Sequence, residues 1–173
     1  TLDQAKRDML AGWLPEDSLS GQVPRKSLLS VGALEVERVH RLADESGGEL
    51  VVAMDNCPNQ VVLCGEPDRV EEARGLLEAE GALCQPLPFD RAYHTPWYLS
   101  ICEKLEEAMS PCEDVEFPVP VYSTTTTAPL PGNGEDRRRI LIDQWSRPVR
   151  FRETIQRMYE DGVRVFLEIG PRG

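Results

Sequence analysis

The sequence predicts an α+β fold. Between residues 26 and 89, β-rich runs alternate with segments whose apolar residues recur at helical spacing. The 173 residues suffice for one domain or two small subdomains, and a hydrophobic fraction of 40% can supply a packed core. We therefore expect a globular chain.

Residues 26–89 predict elements in the order βαββαβ. Strands are expected at residues 26–33, 49–55, 60–65 and 82–89, with the turn formers NCPN between the second and the third. The two helices are predicted from apolar stripes, which are Val36, Val39, His40 and Ala43, and then Val70, Ala73, Leu76 and Leu77. The second helix is expected to begin at Pro67 and to end at Gly81. This order is that of ferredoxin-like units, in which two helices cover one face of a four-stranded sheet.

The segments around this unit predict further elements. Residues 1–23 are expected to form a connecting segment with a short helix up to Leu10. The residues after Leu10 are rich in Gly, Pro, Asp and Ser, which indicates irregular structure. Thr95 and Pro96 suit the N-cap and the first position of a helix. The apolar side of that helix would be Leu99, Cys102, Leu105 and Met109. Residues 117–127 contain a short β-rich core, and residues 128–136 predict a loop.

The last part of the chain predicts a helix and then a strand. The helix is expected between Pro148 and Gly162, with one face formed by Phe151, Ile155, Met158 and Tyr159. The run VRVFLEIG follows as a strand, and a buried strand of this parallel type needs neighbours on both sides. Few other elements could supply them, so we expect the chain to belong to a larger unit.

Composition argues against several classes of function. Thirty acidic against nineteen basic residues give a formal charge of −11, so no nucleic acid partner is expected. The charge is uneven, because residues 137–173 hold nine arginines and five acids. Neither a signal peptide nor a membrane-spanning run is visible, which predicts a cytoplasmic protein without a membrane partner. Five cysteines without a CxxC pair predict reduced thiols and no metal site.

His94 is the first candidate for chemistry, because it stands where an extended segment gives way to a helix. By position alone, a structural histidine is the commoner outcome. A histidine base also needs a nucleophile, yet the sequence contains no G-x-S-x-G turn, and Ser30 fits a strand better. The other candidates have structural interpretations, which are a core position for His40 and solvated helix faces for Glu71, Glu72, Glu103, Glu106 and Glu107.

Four motifs follow one another along the chain: NCPNQVVLCG, FDRAYHTP, DQWSRPVRF and VFLEIGP. In this order they resemble the acyltransferase domains of type I polyketide and fatty acid synthases and their stand-alone malonyl-CoA:acyl-carrier-protein transacylase relatives. The run PFDRAYHTPW is most like the iterative synthases of enediyne and polyunsaturated fatty acid pathways. The resemblance covers about Lys26 to Pro171. It implies a ferredoxin-like small subdomain at residues 24–90 and the C-terminal part of an α/β-hydrolase-like large subdomain at residues 91–173.

The resemblance also implies roles for single residues. His94, which closes the x-Ala-x-His tetrad, is implied as the catalytic base, and the backbone carbonyl of Gln144 is implied to orient its ring. Arg91, Ala92 and Tyr93 of the same tetrad are implied to set substrate specificity. The aromatic Tyr93 resembles the malonyl pattern, whereas Arg91 departs from both common versions.

Members of this family run a two-step reaction. A serine activated by the histidine takes malonyl from coenzyme A as an ester, and the phosphopantetheine thiol of an acyl carrier protein then removes it. The resemblance thus implies malonyl-CoA as substrate, substrate contact at Asn56, and no tightly bound cofactor or metal. The implied partners are an acyl carrier protein and the rest of the same synthase polypeptide. Because the family's serine motif precedes the region that this chain resembles, the chain alone is not expected to turn over.

Two other functions remain open. The chain could be a non-catalytic docking module, in which the sheet and the arginines of residues 137–172 contact an acidic carrier protein or the phosphates of coenzyme A. It could also be a free-standing regulatory ferredoxin-like domain. That domain would need neither DQWSRPVRF nor VFLEIGP.

Overall fold

The computed structural model describes residues 24–88 and 90–170. The predicted connecting segment, the short helix up to Leu10 and the end of the fourth predicted strand at Phe89 lie outside the described residues. None of the described helices is long and apolar enough to cross a bilayer.

The centre of the structure is a mixed sheet. Strands β1 (Ser27–Gly32), β2 (Leu50–Cys57), β3 (Gln60–Gly65) and β4 (Leu83–Pro86) pair antiparallel in the order β4-β1-β3-β2. The prediction of these strands is confirmed, with limits that differ by a few residues. They alternate with two helices, α1 (Val36–Glu45) and α2 (Pro67–Ala79), as the sequence pattern predicted.

Both faces of this sheet are buried, because its strands carry apolar side chains at successive positions. Leu29 and Leu63 pack on one face with the buried residues of α1 and α2. Leu28 and Val62, one residue earlier in each strand, point to the opposite face and pack with Ala92. The helices therefore cover one face, and the segment that leads to His94 covers the other.

Two residues of the predicted helical stripes lie outside the core. Leu76 is 55% exposed, and the side chain of His40 is 42% exposed, so the predicted core position of His40 is wrong. Residues in an α-helix are about 100° apart around the axis, which places both side chains at the border of the buried stripe. The predicted helix end is confirmed, since Gly81 follows α2 with φ +94°.

The helix after His94 begins differently from the prediction. A 3₁₀ turn (Pro96–Tyr98) precedes α3 (Leu99–Ala108), and the Thr95 side chain does not cap either of them but donates to the Ala92 carbonyl at 2.6 Å. Leu99 is 56% exposed, which corrects the predicted apolar side. The buried side is instead formed by Tyr98, Ile101 and Cys102, with Leu105 and Met109 packed against it.

Helix α4 (Gly134–Asp143) lies partly where a loop was predicted. Asn133 caps it by accepting the Asp136 amide at 2.9 Å, and Glu135 and Asp136 occupy its first turn. A Cβ atom at Gly134 would lie 1.9 Å from the Cys112 carbonyl oxygen, so the helix start requires glycine there. Glycines on both sides of Asn133 concealed this cap in the sequence.

Strands β5 and β6 form a separate two-stranded sheet. The predicted β-rich core of residues 117–127 contains only β5 (Tyr122–Ser123), which pairs with β6 (Ala128–Pro129).

The central sheet has one further strand, next to β2. Strand β7 (Val149–Arg150) pairs parallel with β2 at Met54 and Asp55. Two residues are too short to show a strand period, so the sequence did not reveal β7.

Helix α5 (Phe151–Glu160) confirms a helix after Pro148 that ends before Gly162. Its predicted apolar face is largely open, because Phe151 is 46% and Tyr159 is 55% exposed, and Thr154 is its buried residue.

The predicted strand at residues 163–169 is wrong, because no described part of this segment belongs to a strand. Val165, Leu167 and Ile169 are 75%, 83% and 95% exposed. A strand exists through hydrogen bonds to a neighbour, and the described residues offer this segment none.

A buried ion pair fixes α5 to the sheet. The Asp55 carboxylate on β2 is 5% exposed and receives the Arg152 guanidinium, with Nε 2.9 Å from Oδ1 and Nη2 2.8 Å from Oδ2. Nε2 of His40 lies 3.5 Å from Oδ2 of Asp55. A two-pronged contact of this kind restrains both the distance and the orientation of the two elements.

Arg152→Ala should lower the free energy of unfolding by about 3 kcal/mol, because the Asp55 carboxylate, which is 5% exposed, loses its guanidinium partner. Urea denaturation of both proteins measures this loss. Arg69→Ala is the matched control: it breaks a pair with Glu49 whose side chains are 46% and 53% exposed. The control should cost less than about 1 kcal/mol. Equal losses in the two variants would contradict a special role for Asp55.

Candidate active site

The segment that carries His94 is anchored on the sheet. The Leu87 amide donates to the Leu28 carbonyl at 2.9 Å, and the Ala92 amide donates to the Pro24 carbonyl at 3.1 Å. The Ala92 methyl group is fully buried against the sheet. A larger side chain would not fit in this close-packed cluster, so Ala92 holds the tetrad in place.

The backbone of His94 is held in a left-handed conformation. Its φ is +61°, which is uncommon for a residue with a Cβ atom and costs about 1 kcal/mol or more. The His94 amide donates to the Trp145 carbonyl at 2.9 Å, in the turn that follows α4. Contacts from that turn therefore stabilise a conformation that the residue disfavours by itself.

The His94 ring is oriented by the same turn. Nδ1 lies 2.7 Å from the backbone carbonyl oxygen of Gln144, the C-cap residue that follows α4. A carbonyl oxygen only accepts hydrogen bonds, so Nδ1 carries the proton of the neutral ring. The lone pair of the neutral ring is then on Nε2, which is the atom able to accept a proton. The Gln144 side chain donates instead to the Leu141 carbonyl at 2.8 Å.

The surroundings favour the neutral form of His94. Burial lowers the pKa of His94 from its usual 6.5, and the hydrogen bond to Gln144 opposes part of that change by raising it. The ring is therefore neutral at pH 7 and able to take up a proton, as a general base must.

Three aromatic rings connect the two chain segments of this site. Tyr93 precedes His94 and Trp145 follows Gln144, and their ring centroids are 6.0 Å apart. The buried Tyr98 lies 5.5 Å from Tyr93 and stacks on Trp145 at 5.9 Å with an interplanar angle of 20°. Burial raises the pKa of Tyr98 to about 12, so the Tyr98 hydroxyl stays uncharged.

The structure brings only part of the predicted set together. His94, Tyr93 and Gln144 form one site, whereas the Arg91 guanidinium contacts Asp90 at 3.0 Å. Asn56 donates to the Gln60 side chain at 3.2 Å, across the β2–β3 hairpin. The roles of all six predicted residues, His94, Gln144, Arg91, Ala92, Tyr93 and Asn56, stay predictions. Trp145 was assigned no role from the sequence, because its contacts to residues 93, 94 and 98 span about fifty residues of chain.

Other reactive groups of the described chain lie in structural settings. The five cysteines are reduced, and burial raises the pKa of Cys64 to about 12, which makes it a poor nucleophile. No group of three or more potential metal ligands occurs among the described residues. A cavity of about 470 Å³ is lined by His40, Asp55 and Arg150 among others, and His94 is not part of its wall.

A neutral histidine whose Nδ1 is held by a backbone carbonyl has the geometry that general-base chemistry requires. Residues 23–172 match the family model described as "Acyl transferase domain". The chain therefore belongs to the acyl transferase domain family, which confirms the resemblance seen in its motifs.

Characterised relatives agree with this family. The malonyl CoA-acyl carrier protein transacylase of Bacillus subtilis (strain 168) is 32% identical over 153 residues, which are 88% of this chain and 48% of that protein. The spectinabilin polyketide synthase system protein NorA' of Streptomyces orinoci is 30% identical over 98% of this chain and 4% of that protein. The chain thus spans about half the length of the stand-alone relative and a small part of the synthase.

Solved structures of the same family resemble the fold. The transacylase (MCAT) from Streptococcus pneumoniae has a TM-score of 0.73 at 30% identity, over 86% of this chain and 49% of that one. The acyltransferase domain of an iterative polyketide synthase in enediyne biosynthesis has a TM-score of 0.65 at 29% identity, over 77% of this chain and 34% of that one.

The lowered pKa of His94 predicts a sign for the pH dependence of stability. Between pH 6.5 and the lower folded-state pKa, the unfolded chain binds a proton at His94 that the folded chain does not. Acidification through this window should therefore reduce the stability of the wild type relative to His94→Asn. Urea denaturation between about pH 7.5 and about pH 5 measures the difference. A wild type that gains stability over the variant in acid would contradict the lowered pKa.

Proposed function

We propose that the chain is part of an acyltransferase that moves a malonyl unit from coenzyme A to an acyl carrier protein, with His94 as the general base. The observation that carries this proposal is the 2.7 Å contact between Nδ1 of His94 and the Gln144 carbonyl oxygen. That bond leaves the basic nitrogen, Nε2, for the reacting proton. The malonyl transacylases among the relatives support the choice of substrate and partner.

We also propose that residues 24–90 form a ferredoxin-like small subdomain and that residues 91–173 belong to a larger α/β-hydrolase-like one. The element order βαββαβ and the antiparallel order β4-β1-β3-β2 support the first assignment. In this arrangement His94 follows the subdomain boundary by a few residues of chain. Such a boundary is a common place for a substrate cleft.

The proposed reaction has two half-reactions. In the first, Nε2 of His94 takes the proton of a serine hydroxyl, whose oxygen attacks the malonyl thioester, and the departing sulfur of coenzyme A takes that proton. In the second, Nε2 accepts the proton of the phosphopantetheine thiol, whose sulfur attacks the serine ester, and the serine oxygen is reprotonated. His94 returns to its neutral form after each half, so the reaction consumes no cofactor.

The nucleophilic serine is proposed to lie outside these 173 residues. The sequence contains no G-x-S-x-G turn, and the Bacillus transacylase has about twice the matched length. We therefore propose that the chain alone is inactive and that the remaining part of the same polypeptide supplies the serine.

His94→Ala in the intact parent protein should slow malonyl loading by roughly 10² to 10⁴-fold, because the serine loses its base. Transfer of radiolabelled malonyl from coenzyme A to the protein measures the rate. His40→Ala is the matched control, since this second histidine lies beside Asp55 and its loss should leave loading unchanged.

Unchanged loading in His94→Ala would refute the catalytic proposal. The docking function would then gain support if Arg139→Ala and Arg147→Ala weakened carrier-protein binding. The structure does not favour it, because each arginine between residues 137 and 164 has a partner within the chain. These partners are backbone carbonyls for Arg137, Arg138 and Arg164, and acidic side chains for Arg139, Arg147, Arg150, Arg152 and Arg157.

We propose that Tyr93 limits the size of the acyl group. Its half-buried ring directly precedes His94 and is held by two other rings, so it presents a rigid wall. Arg91 is proposed to contribute from the start of the tetrad. Its guanidinium pairs with Asp90 at 3.0 Å, and its side chain is 23% exposed.

Tyr93→Ser should raise the ratio of methylmalonyl to malonyl loading by roughly 10-fold, because a smaller wall admits the extra methyl group. Competition between the two labelled coenzyme A thioesters measures this ratio. Because both substrates use the same base, a general loss of activity cancels in the ratio. An unchanged ratio would remove Tyr93 from the specificity set.

A further inference from the structure

We infer that Trp145 is a positioning residue, whose ring packing on Tyr98 and Tyr93 holds the two carbonyls that orient His94. This inference rests on the proposed role of His94 as the base. It assigns a role to a residue that contacts the base through its backbone.

Two successive carbonyls act on one histidine. The Gln144 carbonyl accepts from the His94 ring at 2.7 Å, and the Trp145 carbonyl accepts from the His94 amide at 2.9 Å. The position of the ring therefore depends on the position of a single turn. Any rotation of that turn moves both acceptors together.

Backbone hydrogen bonds hold the turn from the side of α4. The Gln144, Trp145 and Ser146 amides donate to carbonyls of the last helical turn at 3.0 to 3.2 Å. These bonds fix the turn to the helix, but they do not fix it to the segment of His94. Beside the two hydrogen bonds of His94, a further connection across the site is made by side chains.

The aromatic cluster supplies that connection. The Trp145 ring stacks on Tyr98 at 5.9 Å and contacts Tyr93 at 6.0 Å. Tyr98 is 4% exposed and belongs to the core formed by α3 and α4. Aromatic pairs of this kind contribute about 0.5–1.5 kcal/mol each beyond their area, enough to oppose the strain at His94.

The ionisable groups around the aromatic cluster are Arg91, Tyr93, Tyr98, Cys102, Glu103, Asp143 and Arg147. Asp143 and Arg147 pair with each other at 3.2 Å, and Arg91 pairs with Asp90. Burial and the Gln144 bond remain as the causes of the shift in the pKa of His94. Loss of the Trp145 ring should therefore admit water and bring that pKa back toward 6.5.

The test compares Trp145→Ala and Trp145→Phe in the intact parent protein. Trp145→Ala should lower kcat for malonyl transfer by roughly 10- to 100-fold, because small misplacements of a catalytic group have effects of this size. KM for malonyl-CoA should change much less. Trp145→Phe keeps a ring and should restore most of kcat. If the alanine variant unfolds, Trp145→Leu keeps apolar volume without a ring and should show the same loss.

A second measurement does not depend on activity. Diethyl pyrocarbonate modifies neutral imidazole, and peptide mass spectrometry gives the modified fraction of His94 at each pH. The midpoint of this profile should rise toward 6.5 in Trp145→Ala and stay at the wild-type value in Trp145→Phe. If His94→Ala retains full loading, the proposed function fails, and this profile still decides the role of Trp145.

Tyr159→Ala is the control. It removes an aromatic ring from α5, where Tyr159 is 55% exposed, lies 4.0 Å from the Arg164 guanidinium and is outside the three-ring cluster. Its midpoint and its kcat should match those of the wild type. An unchanged midpoint in Trp145→Ala would overturn the inference, and so would a rise in KM alone, which would make Trp145 a substrate contact.

Discussion

The binding of His94 by the turn after α4 is the interaction on which the functional interpretation depends. One turn contacts the backbone and the ring of the same residue, through the carbonyls of Trp145 and Gln144. The left-handed backbone, the tautomer and the direction of Nε2 all follow from this pair of bonds. A histidine without them would be a flexible side chain at a strand end, with no preferred direction for its lone pair.

The small sheet contributes to this interaction by fixing the segment that carries His94. Alternation along β1 and β3 gives the sheet two apolar faces, one for the helices and one for the segment ending at His94. The methyl group of Ala92 fills the second face, so His94 leaves the sheet at a fixed point. His94 is thus located by packing on one side and by hydrogen bonds on the other.

The sequence predicted the structural features that depend on local residue patterns. The four strands and two helices of the small sheet and the position of His94 were visible as periods, turn residues or motifs, and the family resemblance implied the partner Gln144. Other contacts between distant segments were not visible, and they explain the failures. Strand β7 exists only because β2 lies beside it, Trp145 gains its role from rings some fifty residues away, and residues 163–169 lack a described neighbour despite their β-rich pattern.

Strand β7 and the pair of Asp55 with Arg152 have a consequence for exchanging parts between acyl transferase domains. Residues 24–90 look like an independent cassette in the sequence, but their sheet continues into residues 149–150, and their buried carboxylate is neutralised from residue 152. A chimera that replaces the cassette alone would give the recipient a sheet edge and a charge matched to the donor's helix. A swap boundary drawn by contacts would transfer residues 149–152 together with the cassette.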